Sequence, residues 1–251
     1  MFINVEVVLP TPESLHLCGR SLRAILVVPA ASSSEPPPSN AEAVAVAPGA
    51  QAENWTIAAE MLTRFRQTDG ETALLVTADS ALDADSLDAR LSVIIPARPD
   101  GLLVTGVRAG ADLQRIDIAL SVAEVMAGRE PGTTALVAIM GDNPSGLLAA
   151  GSFAGKSTRL RGIGWRAAML ADQMGIDTGQ RAQIQTDAIS LGRGLTALAA
   201  TTAGVTALDW LDPNLLATPL SRACADARAN GFGALITGNP DHLQDIAAAF
   251  R

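Results

Sequence analysis

The residues most able to do chemistry in this chain follow directly after short apolar segments. The clearest example is the stretch Gly-Asp-Asn-Pro-Ser-Gly at residues 141–146, which comes after an apolar segment at 134–140. A hard cation such as Mg2+ prefers oxygen ligands on a rigid mount, and Asp142 would supply one of them. The same stretch is also typical of an Asp/Asn turn that satisfies its own backbone. Both interpretations stay open from the sequence.

The other apolar segments end next to a small set of polar and aromatic side chains. These are Asp79 with Ser80, Arg108, Trp165 with Arg166, Asp209, and Asn239 with Asp241. Barrel enzymes place their reactive groups at the carboxyl ends of strands and in the loops that follow. These residues are therefore the candidates for a site, provided that the apolar segments are the strands of a barrel.

Other kinds of site have little support. A phosphate-binding loop is not predicted at residues 151–158, because Gly151 leaves three residues before the Gly-Lys pair where the motif needs four. Lys156 is the only lysine and is expected to be solvated, which argues against Schiff-base chemistry. The two histidines are too few for a histidine-rich metal site. We expect His16 at the surface, and His242 either solvated at the start of the last helix or at the rim of the site.

The apolar segments themselves predict the architecture. Strand candidates cover residues 23–28, 42–47, 72–77, 101–107, 134–140, 159–164, 205–210 and 233–237. Each is almost continuously apolar, which is typical of parallel strands buried on both faces. Helical patterns lie between them, over residues 55–65, 113–123, 182–203, 218–230 and 243–250. Thr218 followed by Pro219 predicts the start of the fourth of these helices.

Eight strands that alternate with helices predict an α/β fold, a single (β/α)8 TIM barrel over residues 1–251. An open doubly wound sheet is the rival architecture, since the same alternation permits it. Its glycine-rich nucleotide turn is missing after the first strand, where Val28 leads into Pro29. The Ser/Pro-rich stretch at residues 30–40 predicts a flexible loop within the domain.

Composition and charge exclude several classes of partner. The chain has 18 Lys and Arg against 26 Asp and Glu, a net charge of -8, whereas a nucleic-acid reader needs a basic face. No apolar run approaches the roughly 18–20 residues that cross a bilayer, so no membrane partner is expected. Cys18 and Cys224 lie far apart without metal-ligand spacing, which favours the cytoplasm as the location.

Several segments together resemble one known group of proteins. They are Gly-Arg-Ser-Leu at 19–22 with Ile-Leu-Val-Val-Pro at 25–29, Asp-Gly-Leu-Leu-Val at 100–104 with a helix that ends in Glu124, and residues 135–149, 198–209 and 231–240. In this order they are similar to the citrate lyase beta-subunit-like proteins, the HpcH/HpaI aldolase and malyl-CoA lyase group. The resemblance implies a TIM barrel, commonly oligomeric. It also implies cleavage or formation of a carbon–carbon bond between an acyl-CoA enolate and a keto acid, with Mg2+.

The resemblance also identifies where this chain departs from the group. The metal-binding glutamate of the group falls on Asp142, and its second metal ligand, an aspartate, falls on Trp165, which cannot bind Mg2+. Three further features have no counterpart here: a substrate-holding arginine at residues 75–78, an acidic cluster at 45–49 and a Pro-Lys pair at 105–106. A metal-dependent reaction is therefore expected to be weakened, because a divalent cation neutralises the oxyanion that develops in aldol cleavage.

We predict a site from these positions. The predicted metal ligands are Asp142 and Asp79, the predicted catalytic residues that hold a substrate carboxylate are Arg166 and Arg108, and the predicted substrate-binding residues are Asn143, Trp165 and Asn239. The function expected is a divergent carbon–carbon lyase of the citrate lyase beta-subunit type, acting on an acyl-CoA or a 2-keto acid and forming a homo-oligomer. The alternative is a non-catalytic barrel that serves as a ligand-binding or assembly subunit.

Overall fold

The computed structural model describes residues 13–30, 36–68, 70–176 and 186–250. The strands are β1 (Leu15–Leu17), β2 (Arg20–Leu22), β3 (Ala24–Pro29), β4 (Ala43–Ala47), β5 (Ala73–Asp79), β6 (Gly101–Thr105), β7 (Ala135–Gly141), β8 (Leu160–Trp165), β9 (Thr206–Trp210) and β10 (Phe232–Thr237). Strands β3 to β10 form a closed ring in chain order, and β10 pairs with β3. All pairs in the ring are parallel. The predicted (β/α)8 barrel is confirmed, and the open sheet is wrong.

Helices cover the outside of the ring. They are α1 (Glu53–Thr68), α2 (Ala84–Ile94), α3 (Gly110–Met126), α4 (Pro144–Leu148), α5 (Ala167–Gln173), α6 (Asp187–Ala203), α7 (Ala217–Ala229) and α8 (His242–Ala249). Short 3-10 helices follow α2 at Ile95–Ala97 and α4 at Ala150–Ser152. No helix in the described ranges is both long enough and apolar enough to traverse a bilayer.

The apolar side chains of the strands divide into two clusters, because successive residues of a strand point to opposite faces. One cluster fills the inside of the ring and includes Leu75, Ile139, Leu208 and Ile236. The other lies between the ring and its helices and is the larger of the two. This arrangement explains why the strands are continuously apolar in sequence, since both faces are buried.

A β-hairpin that the sequence analysis did not predict covers the amino-terminal end of the ring. Strands β1 and β2 are three residues each and are joined at Cys18 and Gly19, whose φ angles are 51° and 75°. Leu15, Leu17 and Leu22 enter the inner cluster and close the barrel from below. Three-residue strands leave no periodicity to detect, which is why the pattern did not reveal them.

The five predicted helices are present, but residues 182–185 of the third lie outside the described residues, and α2, α4 and α5 lie outside the predicted ranges. Helix α7 begins at Ala217 and is preceded by Leu216, which makes no side-chain cap, so Thr218 is not the N-cap residue. Helix α2 was not predicted; Asp83 caps it by accepting a hydrogen bond from the Ser86 amide. Of the predicted loop at 30–40, residues 31–35 lie outside the described residues, and residues 36–40 form no helix or strand.

A buried charge network ties α3 to the amino-terminal end of β8. Glu124 is fully buried, and Arg159, which is 3% exposed, donates to both of its carboxylate oxygens at 2.8 and 3.0 Å. The Gly132 and Thr134 amides donate to the same carboxylate at 2.7 Å each, and Arg159 also pairs with Asp117 at 2.6 Å. Because it lies away from the carboxyl ends of the strands, this network stabilises the fold rather than the site.

The network makes stability depend on pH. Burial acts to raise the pKa of Glu124, but the hydrogen bonds from Arg159, Thr134 and Gly132 hold that pKa at about 2, below the ordinary 4.5. The stabilisation is therefore fully present above pH 4.5 and is lost as the pH falls toward 2. We expect the free energy of unfolding, measured in urea between pH 2.5 and 5, to fall more steeply for the wild type than for Glu124→Gln. Identical slopes would show that the carboxylate is not held ionised by its partners.

Candidate active site at the rim of the barrel

Asp142 lies at the carboxyl end of β7, where the pairing with β8 is irregular. The register shifts between Ile139 and Gly141, and a β-carbon on Gly141 would lie 2.2 Å from that of Trp165. The shift turns Asp142 toward the end of β6, where its Oδ2 accepts a hydrogen bond from the Gly106 amide at 2.7 Å. Burial raises the pKa of this carboxyl, and the bond from Gly106 opposes that rise. Asp142 is thus a buried carboxylate at the mouth.

Asn143 has a structural role in the same turn. It is the N-cap of α4, where its Oδ1 accepts from the Gly146 amide at 2.9 Å. Its amide nitrogen donates to the Val107 carbonyl at 3.3 Å and to Asp142 Oδ1 at 3.0 Å. The turn interpretation of residues 141–146 therefore applies to Asn143. The carboxylate faces the mouth, and the amide closes the turn.

Asp79 lies next to Asp142, as the sequence analysis expected of two metal ligands. Its charge contributes to the raised pKa of Asp142, and its Oδ1 would lie 3.1 Å from a β-carbon on Gly106. Gly106 has a φ of 68° and lies between the two carboxylates. Asp79 itself is exposed, and its Oδ1 accepts from the Ala81 amide at 2.8 Å.

Trp165 lies on the outer face of β8 and forms part of the lining of the cavity described below. Its ring belongs to the outer apolar cluster, and its Nε1 donates to Asp209 Oδ1 at 2.8 Å. The other oxygen of Asp209 accepts from Arg193 of α6 at 2.9 Å. Burial raises the pKa of Asp209, and the Arg193 guanidinium and the indole N–H act against that rise. The indole therefore positions the buried Asp209 for its ion pair with the partly exposed Arg193 on the outer side of the barrel wall.

Arg166, one residue further on, takes the position at the mouth. It is half-buried, and its guanidinium carbon lies 4.5 Å from the centre of the Trp210 ring, within the range of a cation–π contact. Burial lowers the pKa of this arginine, and the charges of Asp142 and Asp172 act against the shift. Among the residues that the structure describes, no carboxylate oxygen lies within 4.0 Å of its guanidinium. A partly desolvated cation without a counter-ion favours the binding of an anion.

A cavity of about 850 Å3 begins at this arginine. It runs between α6 and α7 beside the ends of β8 and β9, and Trp165, Arg166, Arg193, Trp210, Arg222 and Asp226 are among its lining residues. Its size is that of an ordinary ligand site, and its walls mix apolar surface with a few charged groups. The open space of the site thus lies to one side of the mouth, next to Arg166.

The residues that line this cavity do not include the other predicted site residues, which are Arg108, Asn239, Asp142, Asp79 and Asn143. Arg108 is exposed. The side-chain amide of Asn239 donates to the Pro213 carbonyl at 2.9 Å, and its Oδ1 accepts from the Asp241 backbone amide at 3.0 Å. Lys156 and His16 are exposed, as expected. His242 is not solvated: it is 2% exposed and lies 2.9 Å from Thr237 Oγ1 and 3.0 Å from the Leu215 carbonyl.

The residues at the mouth do not fit Mg2+. Both oxygens of Asp142 already accept hydrogen bonds, one from Gly106 and one from Asn143. Arg166, a cation, occupies the neighbouring strand end where a second carboxylate would be needed. Within the described ranges, no three His, Cys, Asp or Glu side chains form a group that could hold a metal ion. A site for Mg2+ needs several oxygen ligands at once.

Two residues of the site, Trp210 and Arg193, were not predicted from the sequence. Trp210 supports Arg166, while Arg193 neutralises Asp209 across the wall of the barrel. The sequence contains one indication that Arg193 has a special position. It stands between Gly192 and Gly194 in a predicted helix, where glycines are unfavourable. Gly192 is closely packed, because a β-carbon there would lie 3.0 Å from side chains of two leucines.

Comparison with known proteins gives relatives in structure only. No protein-family profile and no curated sequence matches the chain. RipC from Yersinia pestis is 19% identical with a TM-score of 0.70, over 92% of this chain and 95% of that one. The citrate lyase beta subunit from M. tuberculosis, complexed with oxaloacetate and magnesium, is 19% identical with a TM-score of 0.67, over 92% and 97%. Protein CitE from Mycobacterium tuberculosis, in complex with magnesium, acetoacetate and coenzyme A, is 20% identical with a TM-score of 0.68, over 92% and 81%. The chain has the fold of these proteins, which is the fold that the resemblance in its sequence implied.

Proposed function

We propose that the chain is a divergent carbon–carbon lyase of the citrate lyase beta-subunit type, which acts on a carboxylate-bearing acyl-CoA or 2-keto acid. Arg166 holds the substrate carboxylate, and Asp142 accepts a proton from the substrate. The observation that carries the proposal is the half-buried Arg166 guanidinium, stacked on Trp210 at the edge of the cavity without a counter-ion among the described residues. The proposal keeps the single domain and the cytoplasmic location expected from the sequence.

The structural relatives support this choice of ligand. One of them is complexed with oxaloacetate, a keto acid, and another with acetoacetate and coenzyme A. A keto acid carries a planar carboxylate, which matches the fork of N–H donors of an arginine. The cavity beside Arg166, about 850 Å3, is large enough for a substrate of this class.

The residues at the rim account for an aldol-type cleavage without a metal step. Asp142 takes the proton of the substrate hydroxyl, and the O–H electron pair becomes the second bond of a carbonyl group. The carbon–carbon bond breaks, and its electron pair forms an enolate on the other fragment, which is protonated afterwards. Arg166 supplies positive charge next to these anions in a partly desolvated position, where such charge is most effective. Asp142 suits a proton acceptor, since burial raises the pKa of its carboxyl toward the working range.

A second candidate is a non-catalytic subunit that binds the same ligand or assembles with an active relative. The observation that favours it is the lack, in the described part of the chain, of a side-chain group that could hold a metal ion. A ligand-binding subunit would bind the carboxylate at Arg166 without cleaving a bond. An assembly subunit would need neither the binding nor the cleavage.

Cleavage assays separate the two candidates. Purified protein is incubated with malyl-CoA or citramalyl-CoA, with EDTA or with Mg2+, and the carbonyl product is trapped and measured. We expect cleavage in EDTA, a rate at least roughly 100-fold lower for Asp142→Asn, and oxaloacetate binding by that variant close to the wild type. Asp88→Asn, at an exposed position on α2, is the matched control. Binding without any cleavage by the wild type would leave only the second candidate, and cleavage that requires Mg2+ would contradict the proposed roles.

A further inference from the structure

One wall of the cavity is a short segment that forms no helix or strand. Residues 211–216 connect β9 to α7, and residues 211–215 line the cavity. We call residues 211–216 the wall loop. It begins directly after Trp210, the ring on which Arg166 is stacked. A displacement of the wall loop would therefore change the shape of the cavity beside the proposed carboxylate site.

Bonds within the wall loop define its turn, and one backbone bond holds its start to the barrel. Asp212 Oδ1 accepts from the backbone amide of Asn214 at 2.9 Å and from its side-chain amide at 3.0 Å, and the Leu215 amide donates to the Asp212 carbonyl at 3.2 Å. The Leu211 amide donates to the Ile236 carbonyl of β10 at 2.8 Å. The rest of the loop lies outside the sheet, so its place depends on bonds from neighbouring side chains.

Two side chains that come just after β10 anchor the remainder of the wall loop. The Asn239 side-chain nitrogen donates to the Pro213 carbonyl at 2.9 Å, and the ring nitrogen Nε2 of His242 lies 3.0 Å from the Leu215 carbonyl. A carbonyl oxygen only accepts, so Nε2 carries the ring proton and donates it. The Asn239 nitrogen lies 3.3 Å from the same Nε2, further than either group lies from the loop. Two carbonyls of the wall loop are thus held from outside.

Both anchoring side chains are themselves held in one orientation. His242 is 2% exposed, and its Nδ1 lies 2.9 Å from the hydroxyl oxygen of the buried Thr237. With the ring proton on Nε2, Nδ1 accepts the hydroxyl proton. Asn239 Oδ1 accepts from the Asp241 backbone amide at 3.0 Å, which directs the side-chain nitrogen at Pro213. An anchor that is already ordered loses little side-chain entropy when it holds the loop.

We infer that His242 and Asn239 are positioning residues of the ligand cavity, which act through the wall loop. Neither side chain lines the cavity, so the role of Asn239 in ligand binding is indirect. When an anchor is lost, the loop also occupies positions in which the ligand does not fit. The apparent affinity then falls in proportion to the fraction of molecules that remain competent to bind. This inference rests on the proposed function only in taking the cavity as the site of the ligand.

Hydrogen exchange of the wall-loop amides in the protein without ligand tests the anchoring step. His242→Leu removes the donor to Leu215, and we expect the wall loop to exchange at least roughly tenfold faster, with exchange in β5 unchanged. His242→Gln supplies a side-chain N–H in place of Nε2 and is expected to restore exchange to within about threefold of the wild type. Gln244→Leu, at an exposed position on α8, is the matched control and should exchange as the wild type does.

Calorimetric titration of oxaloacetate into the same variants tests the step from loop to ligand. We expect His242→Leu and Asn239→Leu to bind roughly tenfold more weakly than the wild type, and His242→Gln and Gln244→Leu to bind within about threefold of it. Faster exchange with unchanged affinity would show a purely structural role and overturn the inference, and so would unchanged exchange in His242→Leu. A wild type that binds no oxaloacetate overturns the proposed function, and with it the link to ligand affinity, while exchange still decides whether the anchors hold the loop.

Discussion

Replacing Arg166 with methionine is expected to weaken oxaloacetate binding at least roughly 30-fold, the equivalent of about 2 kcal/mol for one charge-assisted contact. The guanidinium is half-buried and stacked on Trp210, so it is positioned to bind a carboxylate with little loss of side-chain entropy. Methionine keeps an apolar stem in contact with the ring but removes every donor. Calorimetric titration measures the affinity.

Intrinsic tryptophan fluorescence gives a measurement of oxaloacetate binding that is independent of calorimetry. The chain has three tryptophans, of which Trp165 and Trp210 line the cavity and Trp55 lies buried in α1. A ligand in the cavity should therefore change the emission of the wild type and leave that of a Trp165→Phe, Trp210→Phe double variant unchanged. Loss of binding in the double variant would reflect the missing Trp210 support, so calorimetry accompanies the measurement.

Two arginine variants make the Arg166 result specific. Arg64→Met, at an exposed position on α1, is expected to bind within twofold of the wild type. Arg108→Met tests the other arginine predicted from sequence, and we expect little change because this residue is exposed and does not line the cavity. A larger loss in Arg108→Met than in Arg166→Met would assign the carboxylate to the end of β6 instead of the end of β8.

Replacing Glu124 with alanine is expected to lower the free energy of unfolding by about 3–5 kcal/mol, the range for breaking a buried ion pair. The substitution removes the acceptor of bonds from Arg159, Gly132 and Thr134, and it leaves a buried guanidinium with Asp117 as its remaining carboxylate. It also opens a cavity next to α3. Urea unfolding at pH 7 measures the change.

Two further variants measure how much the Glu124–Arg159 ion pair contributes to the free energy of unfolding. Glu130→Ala, at an exposed residue shortly after α3, should change stability by less than about 0.5 kcal/mol. The double variant Glu124→Met with Arg159→Met should lose less than the sum of the single losses, because it leaves no unpaired charge. A loss below about 1 kcal/mol in Glu124→Ala would contradict the structural role of the network.

The fold was predictable to a large extent because parallel strands leave a strong signal in sequence. All eight barrel strands lie where continuous apolar segments predict them, since burial on both faces requires such segments. The hairpin β1–β2 was not predictable, as its strands are too short for periodicity. The buried His242 was not predictable either, because its partners Thr237 and Leu215 meet it only in the folded chain.

The site was only partly predictable, because strand ends do not say which way a side chain points. Trp165 and Arg166 were both candidates, and a shift of one residue along a strand reverses the face that a side chain occupies. In the structure Ile163 and Trp165, two residues apart on β8, both belong to the outer cluster, so Trp165 points outward and Arg166 lies at the mouth. The Arg193–Asp209 pair joins α6 to β9 across the wall, and no local pattern encodes such a contact.

The most direct test of the account is calorimetric titration of oxaloacetate into the wild type and into Arg166→Met, each with EDTA and with Mg2+. We predict the same affinity for the wild type in both conditions and a loss of at least roughly 30-fold in Arg166→Met in both. Binding that appears only with Mg2+ and survives the loss of Arg166 would contradict the account, because a metal ion and not the arginine would then hold the carboxylate.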